Sequence, residues 1–309
     1  MKFEYDPSLV EQATFLAVRR DSEKEAAYRT AHEVAYTLED HEHREMAFNQ
    51  LSSQWFFELG LQEPLQELLA ERPLIERNVS ICYVREASGA RKQGAELYVK
   101  ESSGDSTRSC TSMVEICPET LLDSIELRET LRSDLLKISD MLDETFAYSP
   151  ELPPADRPRQ NLIRDRYRAL WDMYVVSRLN NENRLSQKQD RIACNRFTQA
   201  FTSQGQPPNT KCLDALLKLE KVDHRQLLEW AVEPRSLPGW SLSESDADKP
   251  GQACPLCGFP TYDWYPTQSM DRAWADRVAR SLPGWTIKDG MCRQCVETLQ
   301  SKEICISRE

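Results

Sequence analysis

Four cysteines carry the clearest chemistry in this chain: Cys254 and Cys257 in "CPLCGF", and Cys292 and Cys295 in "MCRQCVE". Each Cys-x-x-Cys closes a tight turn that aims two sulfurs at one point, so two such turns can assemble a tetrahedron of thiolates around one metal ion. Soft thiolates select zinc or iron over hard cations. One structural zinc per chain is the expectation, with iron second. A disulfide pair, a redox dithiol and plain buried thiols stay open as alternatives. A metal held by four cysteines has no position left for water or substrate, so this site is expected to hold structure together rather than catalyse.

The elements that must position these sulfurs lie in a short C-terminal segment, 253–309, set off by the polar stretch 241–252, which has no apolar period and reads as a linker. A core that small is marginal alone, which suits a metal staple. The paired spacing resembles a zinc ribbon, and "CPLCG" is similar to one knuckle of a rubredoxin. Rubredoxins carry glycine after both pairs; here Gly258 follows the first and Val296 the second. Residues 251–309 hold seven basic and seven acidic side chains, a poor clamp for a phosphate backbone. Tyr262, Trp264, Tyr265, Trp274 and Trp285 are expected mainly in the core, with base stacking or a partner grip as the other use.

A second pattern lies in residues 133–143. "LRSDLLKISDMLDETFAY" is a helical stretch preceded by three β-rich segments, "NVSICYV" (78–84), "AELYVK" (95–100) and "SCTSMVEI" (109–116), and by helix from Ser22 to Gly60. This order is similar to the core of zincin metallopeptidases, whose second helix carries His-Glu-x-x-His and whose sheet edge binds substrate. The resemblance puts Ser133, Asp134 and Lys137 where that motif has histidine, glutamate and histidine, and Asp143 at the third-ligand position. Serine is a poor zinc ligand and a lysine cation repels the metal. The stretch, with "GAELYV" upstream and "RDRYRALWDMYVVSRL" downstream, also resembles uncharacterised bacterial proteins expected to carry His-Glu-Leu-x-His there. The resemblance implies a pseudo-peptidase that has lost its metal and keeps its groove. The plain reading is an amphipathic helix whose Asp134, Lys137, Asp140 and Asp143 make a solvated face.

Composition narrows the function. A net charge of −11 argues against general nucleic-acid binding, and no stretch has the length and apolarity of a membrane span. The N-terminal segment is broken by Glu4, Asp6 and Glu11, unlike a secretory leader, so the expected compartment is the cytoplasm. His41 and His43 fall on different helix faces and read as surface residues. The arginines at 157, 159, 164, 166 and 168 read as internally paired, with an anionic ligand as the alternative. "RSLPGW" occurs twice, at 235–240 and 280–285, and reads as a reused helix stop; the sharper reading docks the C-terminal segment through both tryptophans. Cys82, Cys110, Cys117, Cys194, Cys212 and Cys305 read as buried thiols.

The expected architecture is α+β and mainly helical: a helix, small sheet, helix domain over 1–149, a helical region over 150–240, the linker 241–252, and the four-cysteine domain over 253–309. The expected role is a non-catalytic zinc-binding adaptor, scaffold or assembly factor for a protein partner. A metal-dependent hydrolase with unrecognised ligands and nucleic-acid binding through the ribbon are the alternatives.

Overall fold

The computed structural model describes all residues except 102–107, 156, 203–207, 209, 241–250, 267–268, 282–284 and 307–309. Most of the expected linker lies outside the described residues. The chain divides into two compact units, Met1–Ser149 and Pro150–Glu309.

The first unit is α+β. Strand β1 (Lys2–Tyr5) leads into α1 (Pro7–Val18), α2 (Ser22–Tyr36), α3 (His41–Glu58), α4 (Glu63–Ala70) and α5 (Pro73–Asn78). Then follow β2 (Val79–Glu86), β3 (Gly94–Glu101), β4 (Arg108–Ile116), α6 (Pro118–Leu121) and α7 (Ser124–Leu142). The sheet order is β1-β2-β4-β3; β1, β2 and β4 run parallel, and β3 lies antiparallel at the edge. Parallel neighbours need a long crossover, and α1 to α5 supply the one between β1 and β2. β1 has too little apolar period to be read from sequence, so only the other three strands were legible.

The continuous helical pattern from Ser22 to Gly60 is two helices. Asp40 accepts the backbone N–H of His43 at 2.8 Å and opens α3 as its N-cap. The apolar residues in this pattern are not all core. Phe56 is fully buried, whereas Val34, Leu38 and Met46 are exposed. The core gathers Leu9, Leu65, Leu68, Val84, Val114, Leu131 and Leu135 between the sheet and the helices.

The second unit opens with α8 (Arg157–Asn181), α9 (Gln187–Phe201), α10 (Thr210–Leu216) and α11 (His224–Val232). Of the arginine run, Arg166 is buried with its guanidinium 5.4 Å from the Phe201 ring centroid, and Arg164 donates to Asn161 at 2.9 Å. Gly239 has φ +71°, and a Cβ there would stand 2.6 Å from the Lys211 carbonyl oxygen, so the first "SLPGW" turn needs glycine to sit against α10. Trp240 beside it meets the Phe201 ring at 6.2 Å, and Leu237 is buried. This copy therefore packs on the helices that precede it, as a helix stop does. In the second copy, Leu282, Pro283 and Gly284 lie outside the described residues.

His224 is buried, and its Nδ1 lies 2.8 Å from Tyr167 Oη. Burial pushes its pKa below the ordinary value, against a smaller opposing pull from Asp223. The unfolded chain therefore binds this proton more readily than the folded one, and stability falls as pH drops below about 6.5 until the folded-state value is passed. A His224→Gln variant should show a flatter decline of Tm between pH 7 and 5.5 than the parent. An unchanged slope would remove His224 as its source.

The unit ends with β5 (Gln252–Ala253), β6 (Pro260–Thr261), α12 (Arg272–Ser281) and α13 (Arg293–Ile306). The expected ribbon is thus largely helical, with strands of two residues each.

Candidate metal centre

The first cysteine pair sits in the turn between β5 and β6. Cys254 N–H donates to the Phe259 carbonyl at 2.9 Å, and Gly258 N–H donates back to the Cys254 carbonyl at 2.8 Å. Gly258, at φ +71°, makes the left-handed step that closes this knuckle. The second pair is built differently: Cys292 immediately precedes α13 and Cys295 lies in its first turn. Val296 N–H donates to the Cys292 carbonyl at 3.2 Å as part of that turn. A helical turn needs no left-handed residue, which explains why valine stands where a rubredoxin has glycine.

Pairing of the two halves is fixed by backbone and charge. Trp264 bridges Cys292 in antiparallel fashion, Tyr265 N–H donates to the Met291 carbonyl at 2.9 Å, and Arg293 N–H donates to the Asp263 carbonyl at 2.9 Å. The Arg293 guanidinium adds an ion pair to the Asp263 carboxylate at 3.1 Å. Below them Trp274, Val278, Trp285, Met291 and Val296 form one core with Cys254 and Cys292, and Trp285 Nε1 donates to the Gly290 carbonyl at 2.9 Å. Three of the five aromatics named from sequence, Trp264, Trp274 and Trp285, are buried; Tyr262 and Tyr265 are half-buried. Sequence reasoning passed over Phe259, which stands 72% exposed beside the knuckle.

The four sulfurs all lie within 4.8 Å of one another. Cys254 to Cys295 and Cys257 to Cys292 are each 3.9 Å apart. A tetrahedron with Zn–S bonds of about 2.3 Å has S···S edges of about 3.8 Å, whereas a disulfide needs about 2.05 Å. The cluster therefore fits a four-coordinate metal and not a pair of disulfides. Burial raises the Cys254 thiol, but N–H donors from Cys292, Cys257 and Leu256 outweigh it and bring it down to about 7. Burial and the neighbouring sulfurs push Cys295 up. Four thiolates can stand this close only with a cation among them, and the N-terminus of α13 adds partial positive charge on one side. Among the described residues no other group of three or more histidine, cysteine, aspartate or glutamate side chains comes together in this way.

Ser133, Asp134, Lys137 and Asp143 do not assemble a second site. Asp134 Oδ2 accepts the backbone N–H of Ala95 at 3.3 Å, joining α7 to the edge strand β3. Asp143 closes α7: its Oδ1 accepts the backbone N–H and the hydroxyl of Thr145, both at 2.8 Å. The solvated face expected of this helix is also corrected. Asp140 is 3% exposed, and Ser133, Asp134, Lys137 and Asp143 are half-buried. At Asp134 the cover is the edge strand β3, and beside it Arg132 pairs with Glu71, the C-cap of α4, at 3.1 Å and Arg128 with Glu67 of α4 at 3.2 Å. Asp134→Ala should free the Ala95 amide and speed its hydrogen exchange about fivefold, for roughly 1 kcal/mol of lost bonding. Unchanged exchange at Ala95 would mean that the carboxylate does not hold this strand.

Among the described residues no helix is long and apolar enough to cross a membrane. Compared with protein-family models, curated proteins and solved structures, the chain matches none.

Proposed function

We propose that this chain is a non-catalytic zinc-binding adaptor, in which a closed four-cysteine zinc site shapes the C-terminal segment and a zincin-like core binds an extended segment of a protein partner. The observation that carries this reading is the bond from Ala95 N–H to Asp134. The carboxylate at the general-base position of a zincin helix is engaged by the edge strand instead of facing a metal-bound water. The antiparallel edge strand beside this helix is also the arrangement in which zincins bind peptides. Cytoplasm is the compartment this reading implies, because thiolate ligands stay reduced there.

Strand alternation defines what β3 offers. Ala95 N–H points away from β4, so Leu97 and Val99, two and four residues on, present their N–H and C=O groups on the same outer edge. Among the described residues β3 pairs only with β4. Tyr98 and Val99 are exposed on it. An open edge of this kind binds extended peptides by adding a strand.

Selection of displayed random peptides on the full chain, followed by affinity measurement against Val99→Pro, tests the proposal. Proline at Val99 removes one outward donor without taking a bond from β4. The expected result is intact peptides whose binding falls at least tenfold in the variant. Cleavage of the peptides would replace the adaptor with the hydrolase, and binding that ignores Val99→Pro would remove β3 from the account.

A further inference from the structure

A groove of about 450 Å³ lies between α1 and α2, on elements that form neither the β3 edge nor the cysteine site. Phe15, Tyr28 and His32 give it an apolar aromatic floor, and Glu11 and Glu33 stand exposed at its rim. Phe15 is 49% exposed, a large aromatic ring left half in water. Arg29 also reaches the groove, but its charge is met by Glu25 at 2.7 Å.

The apolar floor continues beyond the groove. Tyr28, His32 and Tyr36 recur every fourth residue of α2, with ring centroids 5.7 and 5.3 Å apart; His32 and Tyr36 both meet the Phe48 ring of α3, and Tyr36 remains exposed. A row of this kind matches a ligand whose own apolar side chains recur at helical spacing, rather than a compact small molecule. The surrounding charge selects the sign of that ligand. Of the charged side chains at the groove, Glu11 and Glu33 stand exposed at the rim, Arg29 is paired with Glu25, and the Arg19 guanidinium lies 5.4 Å from the Phe15 ring centroid; the whole chain carries −11. A second copy would bring like charges together, whereas a cationic helix would place its lysines or arginines over Glu11 and Glu33.

We infer that the α1–α2 groove docks a cationic amphipathic helix of a partner protein, its apolar stripe on Phe15, Tyr28 and His32 and its basic flank on Glu11 and Glu33. This does not rest on the β3 reading, and either can fail without the other.

The test is fluorescence anisotropy at physiological salt with a labelled leucine–lysine amphipathic helical peptide, and with its leucine–glutamate counterpart. Micromolar binding of the cationic peptide alone is expected, weakened at least tenfold by Phe15→Glu and by Glu11→Lys/Glu33→Lys. Phe15→Glu separates the groove from diffuse attraction, because it makes the protein more negative while spoiling the apolar floor. Equal or tighter binding by that variant would reduce the effect to bulk electrostatics and overturn the inference. So would comparable binding of the acidic peptide, absence of binding, or a dimer of the parent chain that Phe15→Glu dissolves. Phe15 is half exposed, so the variant should keep its fold; a circular dichroism melt checks this, and the charge-swap pair, confined to exposed rim residues, tests the groove separately.

Discussion

Replacing Cys254 and Cys292 with serine should lower the metal content from one ion per chain to none and unravel the C-terminal segment, while the Met1–Ser149 unit melts as before. One ligand is removed from each pair, so neither the knuckle after β5 nor the first turn of α13 retains both sulfurs. The segment has little else to hold it. Its core is a handful of residues around Trp274, Trp285 and Met291, and Cys254 and Cys292 are themselves members of it. Zinc binding is worth about 10–16 kcal/mol in zinc-finger peptides, far more than a core of that size supplies. Elemental analysis reads the metal, and tryptophan emission reads the segment: Trp264, Trp274 and Trp285 should shift from buried to solvated. A metal that survives both changes would require a second site and favour the hydrolase. A parent chain without metal would remove the zinc site.

Leu135→Ala should destabilise the first unit by about 2–5 kcal/mol, while Ile125→Ala on the same helix should stay within about 0.5 kcal/mol. Both are apolar residues of one helix, but Ile125, two residues before Leu127, falls off the stripe of Leu127, Leu131 and Leu135. In the structure Leu135 is fully buried with Leu127 and Leu131, whereas Ile125, in the first turn, is 72% exposed. Truncating Leu135 opens a cavity that α4 and β3 cannot collapse into, because the Arg132–Glu71 and Asp134–Ala95 contacts hold α7 in place. Urea denaturation of both variants measures the difference. Similar losses at the two positions would mean that the start of α7 packs in solution against something further.

Local chemistry made several features legible. The helices of 22–232 and the strands β2, β3 and β4 follow from apolar periods and from the polar, glycine-bearing stretches between them, whereas α1 and α13 were not read. The knuckle at Gly258 follows from the one residue type that takes a left-handed turn freely. Faces were harder. A period locates apolar residues but not the neighbour that covers them, which is why Val34, Leu38 and Met46 belong to a helical apolar pattern and yet stand in water. The short strand β1 exists because β2 offers it an edge.

The same division runs through the site. By itself the sequence determined the ligand set, four thiols in two Cys-x-x-Cys pairs each closed by its own turn; that they meet at tetrahedral rather than disulfide spacing was decided by the tertiary structure. The sequence also determined that Ser133 and Lys137 cannot ligate zinc, since that is a property of their side chains. Only the tertiary structure decided that Asp134 serves the backbone of β3, that Asp143 caps α7, and that Val296 needs no left-handed turn because a helix begins there. Those roles are contacts between segments distant in the chain, or depend on where a helix starts or ends. Residue type and spacing do not encode them until packing brings the partners within hydrogen-bonding reach.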